Sequence, residues 1–560
     1  METKSGNALL LGANDRAMFS MARQLLKKNY RVDVADWQPL PLERSRFIHR
    51  YHRLAEGERD VRAFVQDLLA VLNAGKYDLL IPVNDMAVEI CVNFSDELRQ
   101  RVSIVGLPSA ESYPFAHDKA RLVEKCREIG VPVPASYIVR TLADLDGLPD
   151  DLQFPLVLKP AYSRLIKQNR VHTFSVRRVK SRAQMVDAVR ELIGSCPVMI
   201  QELLAGHGAG FNFLACDGQI LSSYAHERVH EPLEGGQSSY RKTIATDKYN
   251  LRGHSEKLIR EIGWTGIAMI EYRISGGKPY VMEINGRLWG SIELGIFAGV
   301  NIPGQMIEHF HEGKSIAGPL PAKQVFVRNL KMDLRSALSK AARQRSPLPA
   351  AIWLWSLRHT LSRRELVEDH PLRDFGYESA IYWGWAKKAG KRLKARIFPA
   401  RLPVNTAKPQ LQRGMKVGFL CFGNICRSPF AEAYARGKSP AMEFSSFGFY
   451  PLNDRLSPVD AVEAARTFNV DLSSHRSRLL TAEMLETLDV VFVMDKRNLA
   501  DMGRLFPQAL QKTFYLNPEK ELSDPYGKSR ETFIAIYREI ARTIDGFLTP
   551  LVAGQHGERE

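Results

Sequence analysis

The chain has 560 residues, 45% hydrophobic and 25% charged, with a formal net charge of +16; that length exceeds a single core and predicts three or four domains of about 150 residues each, while the composition argues against extensive disorder. No apolar run reaches the ~20 residues of a membrane span, the polar start Met1 to Asn7 does not read as a secretory signal, and cysteines at 91, 126, 196, 216, 421 and 426 form neither a disulfide framework nor a zinc cluster. A reducing, cytoplasmic compartment is expected.

Residues 1–115 alternate short apolar runs with helical spacing. Leu9 to Gly12, Val32 to Ala35, Asp78 to Val83 and Ser103 to Gly106 read as strands. Asn14 or Asp15 caps a helix carrying Met18, Met21, Ala22 and Leu25, and the whole predicts a small α/β layer on a parallel sheet. A second region, 116–315, predicts an α+β unit with strands Leu156 to Lys159, Val198 to Glu202, Gln219 to Tyr224, Gly266 to Tyr272 and Lys278 to Ile284, and a helix near Arg182 to Ile193. In that region Glu271, Glu283 and Asn285 place hard oxygen donors on adjacent strands, residues 283 and 285 sharing a face, which suits Mg²⁺.

Those residues, with Glu283-Ile-Asn285-Gly-Arg287, Lys119, Lys159 before Pro160, and Gln201-Glu202, resemble the ATP-grasp carboxylate-amine ligases. The resemblance covers residues 1–313 and makes 1–115 the usual pre-ATP-grasp domain. It implies that Lys119, Lys159, Gln201, Glu202 and Arg287 bind ATP and that Glu271, Glu283 and Asn285 hold Mg²⁺. It also implies a carboxylate activated as an acyl phosphate and captured by an amine. Arg228 and the segment 234–239 fall on the substrate side. One departure stands out: between Ala161 and Arg170, where the family has a glycine-rich phosphate loop, there is no glycine but Arg164, Lys167 and Arg170. This opens an alternative in which the module binds ATP without ligating and serves as a regulatory scaffold.

Residues 316–413 form a connector with its own chemistry. Positions 331–414 carry 18 Lys/Arg against 6 Asp/Glu and include Trp353, Trp355, Trp383 and Trp385. A basic helical extension packed on the preceding domain is one reading. The other is an anionic membrane surface met through residues 352–401, peripheral to the inner face of a membrane. Nucleic acid is not expected, since no recognised binding module is present.

The final domain, 414–552, is followed by a short tail, 553–560. Apolar Val417 to Leu420 predicts a strand, Cys421 to Arg427 a tight loop, and Ser428-Pro429 a helix start. Successive N–H groups, a helix N-terminus and a guanidinium can there converge on a tetrahedral anion with a thiolate aimed at its centre. Cys421 and Arg427 at C-x5-R spacing, with Val493-Met-Asp495 and Asp524-Pro525-Tyr526, resemble the low-molecular-weight protein tyrosine phosphatases. The resemblance implies a four-stranded parallel sheet, Cys421 as nucleophile forming a cysteinyl-phosphate, Arg427 on the phosphoryl oxygens, Ser428 on the thiolate, Asp524 as general acid and Tyr526 against the substrate ring. Asn424 braces the loop, because asparagine tolerates left-handed backbone. Cys426 is either a small buried residue or a reversible disulfide partner for Cys421. Arsenate reductases of this fold need further cysteines, and none follows Cys426; arginine phosphatases have threonine where Ile425 stands. Phosphotyrosine proteins or other aryl phosphates are therefore the expected substrates of an α/β multidomain, bifunctional enzyme.

Overall fold

In the computed structural model, residues 6–553 are described except 14–15, 232–237, 317, 319–321, 345, 360–363, 370–373, 382, 385–408 and 452. The expected helix cap at Asn14 or Asp15, most of the segment 234–239 and much of 352–401 lie outside the described residues. The chain divides into two compact units, Met1–Arg178 with Ser195–Gly390, and Val179–Gly194 with Lys391–Glu560.

The first strand of the first unit, β1 (Gly6–Leu11), is apolar at every position from Ala8 to Leu11, the mark of a strand covered on both faces. Ala8 and Leu10 pack into one core, Leu9 and Leu11 into another. Around it lie α1 (Ala17–Lys27), β2 (Tyr30–Asp36), β3 (Arg50–Arg53), α2 (Val61–Gly75), β4 (Leu79–Pro82), α3 (Asp85–Asn93) and β5 (Ser103–Ile104). The strands form one parallel sheet in the order β3-β2-β1-β4-β5. Asp60 and Asn84 cap α2 and α3 by accepting from backbone N–H groups inside each first turn.

Two further sheets follow α4 (Lys119–Glu128). The first contains β6 (Ser136–Val139), β7 (Leu156–Pro160), β10 (Arg177–Val179) and β11 (Val198–Glu202) in the order β10-β7-β11-β6. Between β7 and β10 the glycine-free stretch is a two-stranded hairpin, β8 (Arg164–Lys167) and β9 (Arg170–Thr173), not an open loop. Gln168 and Asn169 supply the two left-handed residues of its turn, with φ of 51° and 61°. The larger sheet runs β16-β15-β12-β13-β14-β17-β18, with β12 (His207–Cys216), β13 (Gln219–His230), β14 (Tyr240–Ile244), β15 (Gly266–Ser275), β16 (Lys278–Asn285), β17 (Phe326–Arg328) and β18 (Glu365–Val367). Its core holds Phe211, Phe213, Trp264 and Tyr272.

The connector is helical at α5 (Leu330–Gln344) and α6 (Leu348–Ser356), as expected, but it also contributes β18 as an edge strand parallel to β17. Three residues are too few for a period-2 pattern to show. What holds them is the buried Glu365 carboxylate, which accepts from Arg328 Nε at 2.9 Å and from the Tyr240 hydroxyl at 2.9 Å.

In the second unit, β19 (Lys416–Cys421), β20 (Glu443–Gly448), β21 (Val490–Val493) and β22 (Thr513–Tyr515) form the expected four-stranded parallel sheet, ordered β20-β19-β21-β22. On one face α7 (Arg427–Lys438) and α8 (Arg530–Ala553) pack through Phe430 and Tyr537, whose rings stack at 3.9 Å. Leu420, Val491 and Val493 fill the other face. Among the described residues no helix is long and apolar enough to cross a membrane.

Candidate active sites

Cys421 ends β19, so the loop that follows opens at the carboxyl edge of a parallel sheet, where α/β proteins collect their ligands. The loop turns back on itself because Asn424 adopts φ of 50°. Its N–H then points to Cys421 Sγ at 3.2 Å, and the sulfur shares a second hydrogen bond with Ser428 Oγ at 3.1 Å. The Asn424 amide donates to Ser428 Oγ and Ser446 Oγ at 3.0 and 2.9 Å and accepts the Arg478 N–H at 2.8 Å. Its carbonyl accepts from His475 Nε2 at 2.8 Å, which places the ring proton on that nitrogen, and burial pushes the imidazole pKa down. Gly448, on the neighbouring strand, lies so close that a Cβ there would stand 3.0 Å from Asn424 N and Phe422 O.

Arg427 opens α7 with its guanidinium buried. Nη1 donates to Asp495 at 2.6 Å and to the Leu522 carbonyl at 2.8 Å, and Nη2 stands 3.3 Å from Asp524 Oδ2. Burial alone would lower the arginine's pKa, but Cys421, Asp524 and Asp495 reverse that and hold its charge. The Asp524 carboxyl is half-exposed over the loop, and Tyr526 beside it is exposed. Five predicted residues, Cys421, Asn424, Arg427, Ser428 and Asp524, are thus brought together. Asp495, Ser446, His475 and the Leu522 carbonyl complete the arrangement. Cys426 is a buried free thiol whose pKa is raised well above normal by burial and by Cys421.

In the first unit, a cavity of about 120 Å³ is lined by Lys119, Glu283, Asn285 and Arg287 together with Asp85, His117 and Arg164. Lys119 Nζ donates to Ser163 Oγ at 2.6 Å. Arg287 is fixed by Asp85 and by Asn285 Oδ1, both at 2.9 Å. Glu271 stands opposite Glu283 across the β15–β16 pair. Burial and the charge of Glu283 raise the Glu271 pKa even though Arg228 holds it at 2.7 Å. Lys159 lies within reach of the same charges; burial lowers its pKa against the pull of Glu283 and Glu271. Two facing carboxylates that repel one another, with an amide oxygen alongside, form a donor set suited to a hard divalent cation.

Gln201 and Glu202 lie on β11, antiparallel to the strand that carries Lys159. Gln201 Nε2 donates to Ser136, and Glu202 accepts from the Ala135 N–H at 2.8 Å. Arg228, predicted on the substrate side, pairs with Glu271 at 2.7 Å; β12 lies between their two strands, and both side chains are largely covered. Of the three basic residues in the hairpin only Arg164 lines the cavity; Lys167 and Arg170 are exposed, since the strand alternation turns them outward. Sequence reading missed Asp85, which opens α3 with no motif around it, and His117, two residues before Lys119. A larger cavity of about 510 Å³, lined by Arg16, Arg23, Glu293, Asn329, Lys331 and Glu368 among others, carries charges of both signs. Gly290 approaches it through Arg16, whose Nη1 lies 3.8 Å from the position of a Cβ on that glycine.

A buried arginine and a cysteine on one anion-cradling loop, with a carboxyl above them, define a cysteine-dependent phosphatase site. The model for low molecular weight phosphotyrosine protein phosphatase matches residues 416–556, and the model for ATP-grasp in the biosynthetic pathway with Ter operon matches 167–332. A low molecular weight protein-tyrosine-phosphatase of Klebsiella pneumoniae is 32% identical over 127 residues, 22% of this chain and 88% of the relative. The Etp phosphatase of Escherichia coli K12 is 32% identical over 126 residues, 22% of this chain and 85% of the relative. The N5-carboxyaminoimidazole synthetase structure from Staphylococcus aureus covers 59% of this chain and 84% of its own, at 17% identity and a TM-score of 0.45. The chain belongs to the low-molecular-weight protein-tyrosine-phosphatase family through its C-terminal domain and carries an ATP-grasp domain ahead of it.

Proposed function

We propose that the C-terminal site hydrolyses phosphotyrosine or another aryl phosphate through a cysteinyl-phosphate. The observation that carries this is the Cys421 sulfur receiving the Asn424 N–H while Arg427 and Asp524 stand 3.3 Å apart above the loop. The thiolate attacks phosphorus, Arg427 takes two oxygens as charge spreads over them, and Asp524 gives its proton to the departing phenolate. Asp524, now ionised, accepts a proton from the water that attacks the cysteinyl-phosphate; the P–S bond breaks, phosphate is released, and Cys421 leaves as the thiolate with Asp524 protonated again. Tyr526 supplies an exposed ring beside the leaving group. Cys421→Ser should abolish aryl-phosphate hydrolysis; turnover persisting above about a thousandth of the wild-type rate would contradict the assignment.

For the first unit the reading is an ATP-dependent ligation of a small carboxylate to an amine. In this reading Lys119, Lys159 and Arg287 bind phosphate oxygens, and Gln201 and Glu202 bracket the base. Glu271, Glu283 and Asn285 would hold magnesium, which supplies charge neutralisation to the phosphates when bound. The carboxylate takes the γ-phosphoryl group to become an acyl phosphate, and the amine then displaces phosphate to form the amide. The 510 Å³ cavity, with arginines and carboxylates facing each other, suits molecules that carry both charges. Glu283→Ala should eliminate ADP release. The hairpin standing in place of a glycine-rich loop favours a second reading, nucleotide binding without turnover, and ATP affinity without ADP release across a panel of acids and amines would establish it.

A further inference from the structure

The six acidic residues between 331 and 414 all turn inward. Asp333 accepts from His230 at 2.8 Å and Ser239 at 2.7 Å, Glu365 from Arg328 and Tyr240, and Glu368 from Arg16 at 3.3 Å. Asp369 accepts the Leu330 and Lys331 N–H groups, Asp374 the Arg46 N–H and the Ser45 hydroxyl, and Glu378 pairs with Lys331. None of the six is exposed, whereas Arg335, Arg343, Arg358 and Arg364 are. The fully exposed charged residues of the described connector are therefore all cationic.

On the same surface α6 is inside out. Its one buried residue is Ser356, whose hydroxyl and carbonyl accept from the buried Arg328 at 3.0 and 3.2 Å. Its large side chains face water: Leu348 and Leu354 are 62% exposed, Trp355 is 69% and Ile352 is 52%. α5, which packs against α6, adds exposed Leu334 and Leu338, and the Arg358 guanidinium lies 4.1 Å over the Trp355 ring. A solvated helix normally turns such residues inward, so a run of them exposed marks a surface that another body covers.

We propose that this face docks on the surface of an anionic lipid bilayer, with Leu348, Ile352, Leu354 and Trp355 entering the headgroup boundary and the arginines meeting lipid phosphates. Charge complementarity selects that occupant: hydrophobic entry and cationic attraction act together only where apolar and anionic layers adjoin. A second copy would bring two all-cationic faces together across a two-fold axis. RNA would meet aliphatic chains with one exposed indole on α6, a poor stacking platform. Leu348, Ile352, Leu354, Trp355, Arg343 and Arg358 line neither of the cavities assigned to the first unit's chemistry.

The test is co-sedimentation of the full-length chain with vesicles of phosphatidylcholine alone or mixed with phosphatidylglycerol. Preferential pelleting with the anionic vesicles is expected, weakening as salt is added. Leu354→Glu with Trp355→Glu, and separately Arg343→Glu with Arg358→Glu, should each reduce partition by more than about tenfold, while aryl-phosphate hydrolysis and the far-ultraviolet spectrum stay as in wild type. The neutral pair Leu354→Gln with Trp355→Gln serves if the glutamates disturb folding. Equal pelleting with both vesicle types, or none with either, overturns the proposal. So does a wild-type dimer that the variants dissociate without any vesicle binding, or retention of RNA in place of vesicles.

Discussion

Asn424 shows how much one side chain can hold. It sits in left-handed backbone, which costs a non-glycine residue roughly 1–2 kcal/mol, yet its buried amide satisfies Ser428, Ser446 and the Arg478 N–H at once. Asn424→Ala keeps the backbone cost, leaves the Arg478 N–H without its acceptor at about 1–3 kcal/mol and strips one bond from each serine, which keep Cys421 and Glu432 as partners; the C-terminal domain should lose several degrees of Tm and kcat should fall by at least about tenfold. Asn424→Gly removes the steric cost but not the lost bonds, so it should recover part of the stability and little of kcat. A glycine variant with wild-type kcat would show that backbone shape alone organises the loop. The sequence made this residue visible because nucleophile, arginine and left-handed asparagine must fall at fixed offsets in one tight loop. Asp495 and His475 were not visible as partners of that loop, since folding, not local spacing, brings them to Arg427 and Asn424.

At the scale of elements, long apolar strands were legible and short ones were not. β11 runs over the predicted Val198 to Glu202, whereas β13 extends past Tyr224 to His230 because buried Ser222, Ser223, His226 and Glu227 break the apolar pattern without breaking the strand. The β8–β9 hairpin was hidden for a different reason: its turn uses Gln168 and Asn169 where glycine would announce it. That hairpin is tied down at its tip, with Asn169 accepting the Arg62 N–H at 2.8 Å and donating to Asp60 at 2.9 Å, and at its stem by the Ile166 N–H on Glu89 at 2.9 Å. Arg164 at its root lines the 120 Å³ cavity, so a loosened tip moves a cation in the proposed nucleotide site. Asn169→Ala should weaken ATP binding by about three- to tenfold, the worth of one or two hydrogen bonds, and open the hairpin to limited proteolysis. Unchanged affinity for ATP in Asn169→Ala, beside a clear loss in Arg164→Ala, would show that the tip does not position the arginine.

Across the whole molecule, the two chemistries rest on separate hydrophobic cores. Val417, Phe419, Phe430 and Tyr537 belong to the core beneath the phosphatase loop, while Phe211, Trp264 and Ile270 belong to the core beneath Glu271 and Glu283. Each compact unit thus has its own apolar burial to lose on heating, the condition under which a long chain departs from a single all-or-none transition. Calorimetry of the intact protein should resolve two transitions, and ligands should assign them. A ligand that binds only the folded form stabilises it by RT ln(1 + [L]/Kd), about 2.7 kcal/mol at a hundred times Kd; for domains of this size that shifts Tm by several degrees. Magnesium and ATP should raise one transition, and an inert phosphate mimic such as vanadate should raise the other. The site variants turn the same measurement into an internal control: Glu283→Ala should remove the ATP shift and leave the vanadate shift intact, and Cys421→Ala the reverse. A single transition raised equally by both ligands would mean that the units unfold as one body and that occupancy at either site is felt at the other.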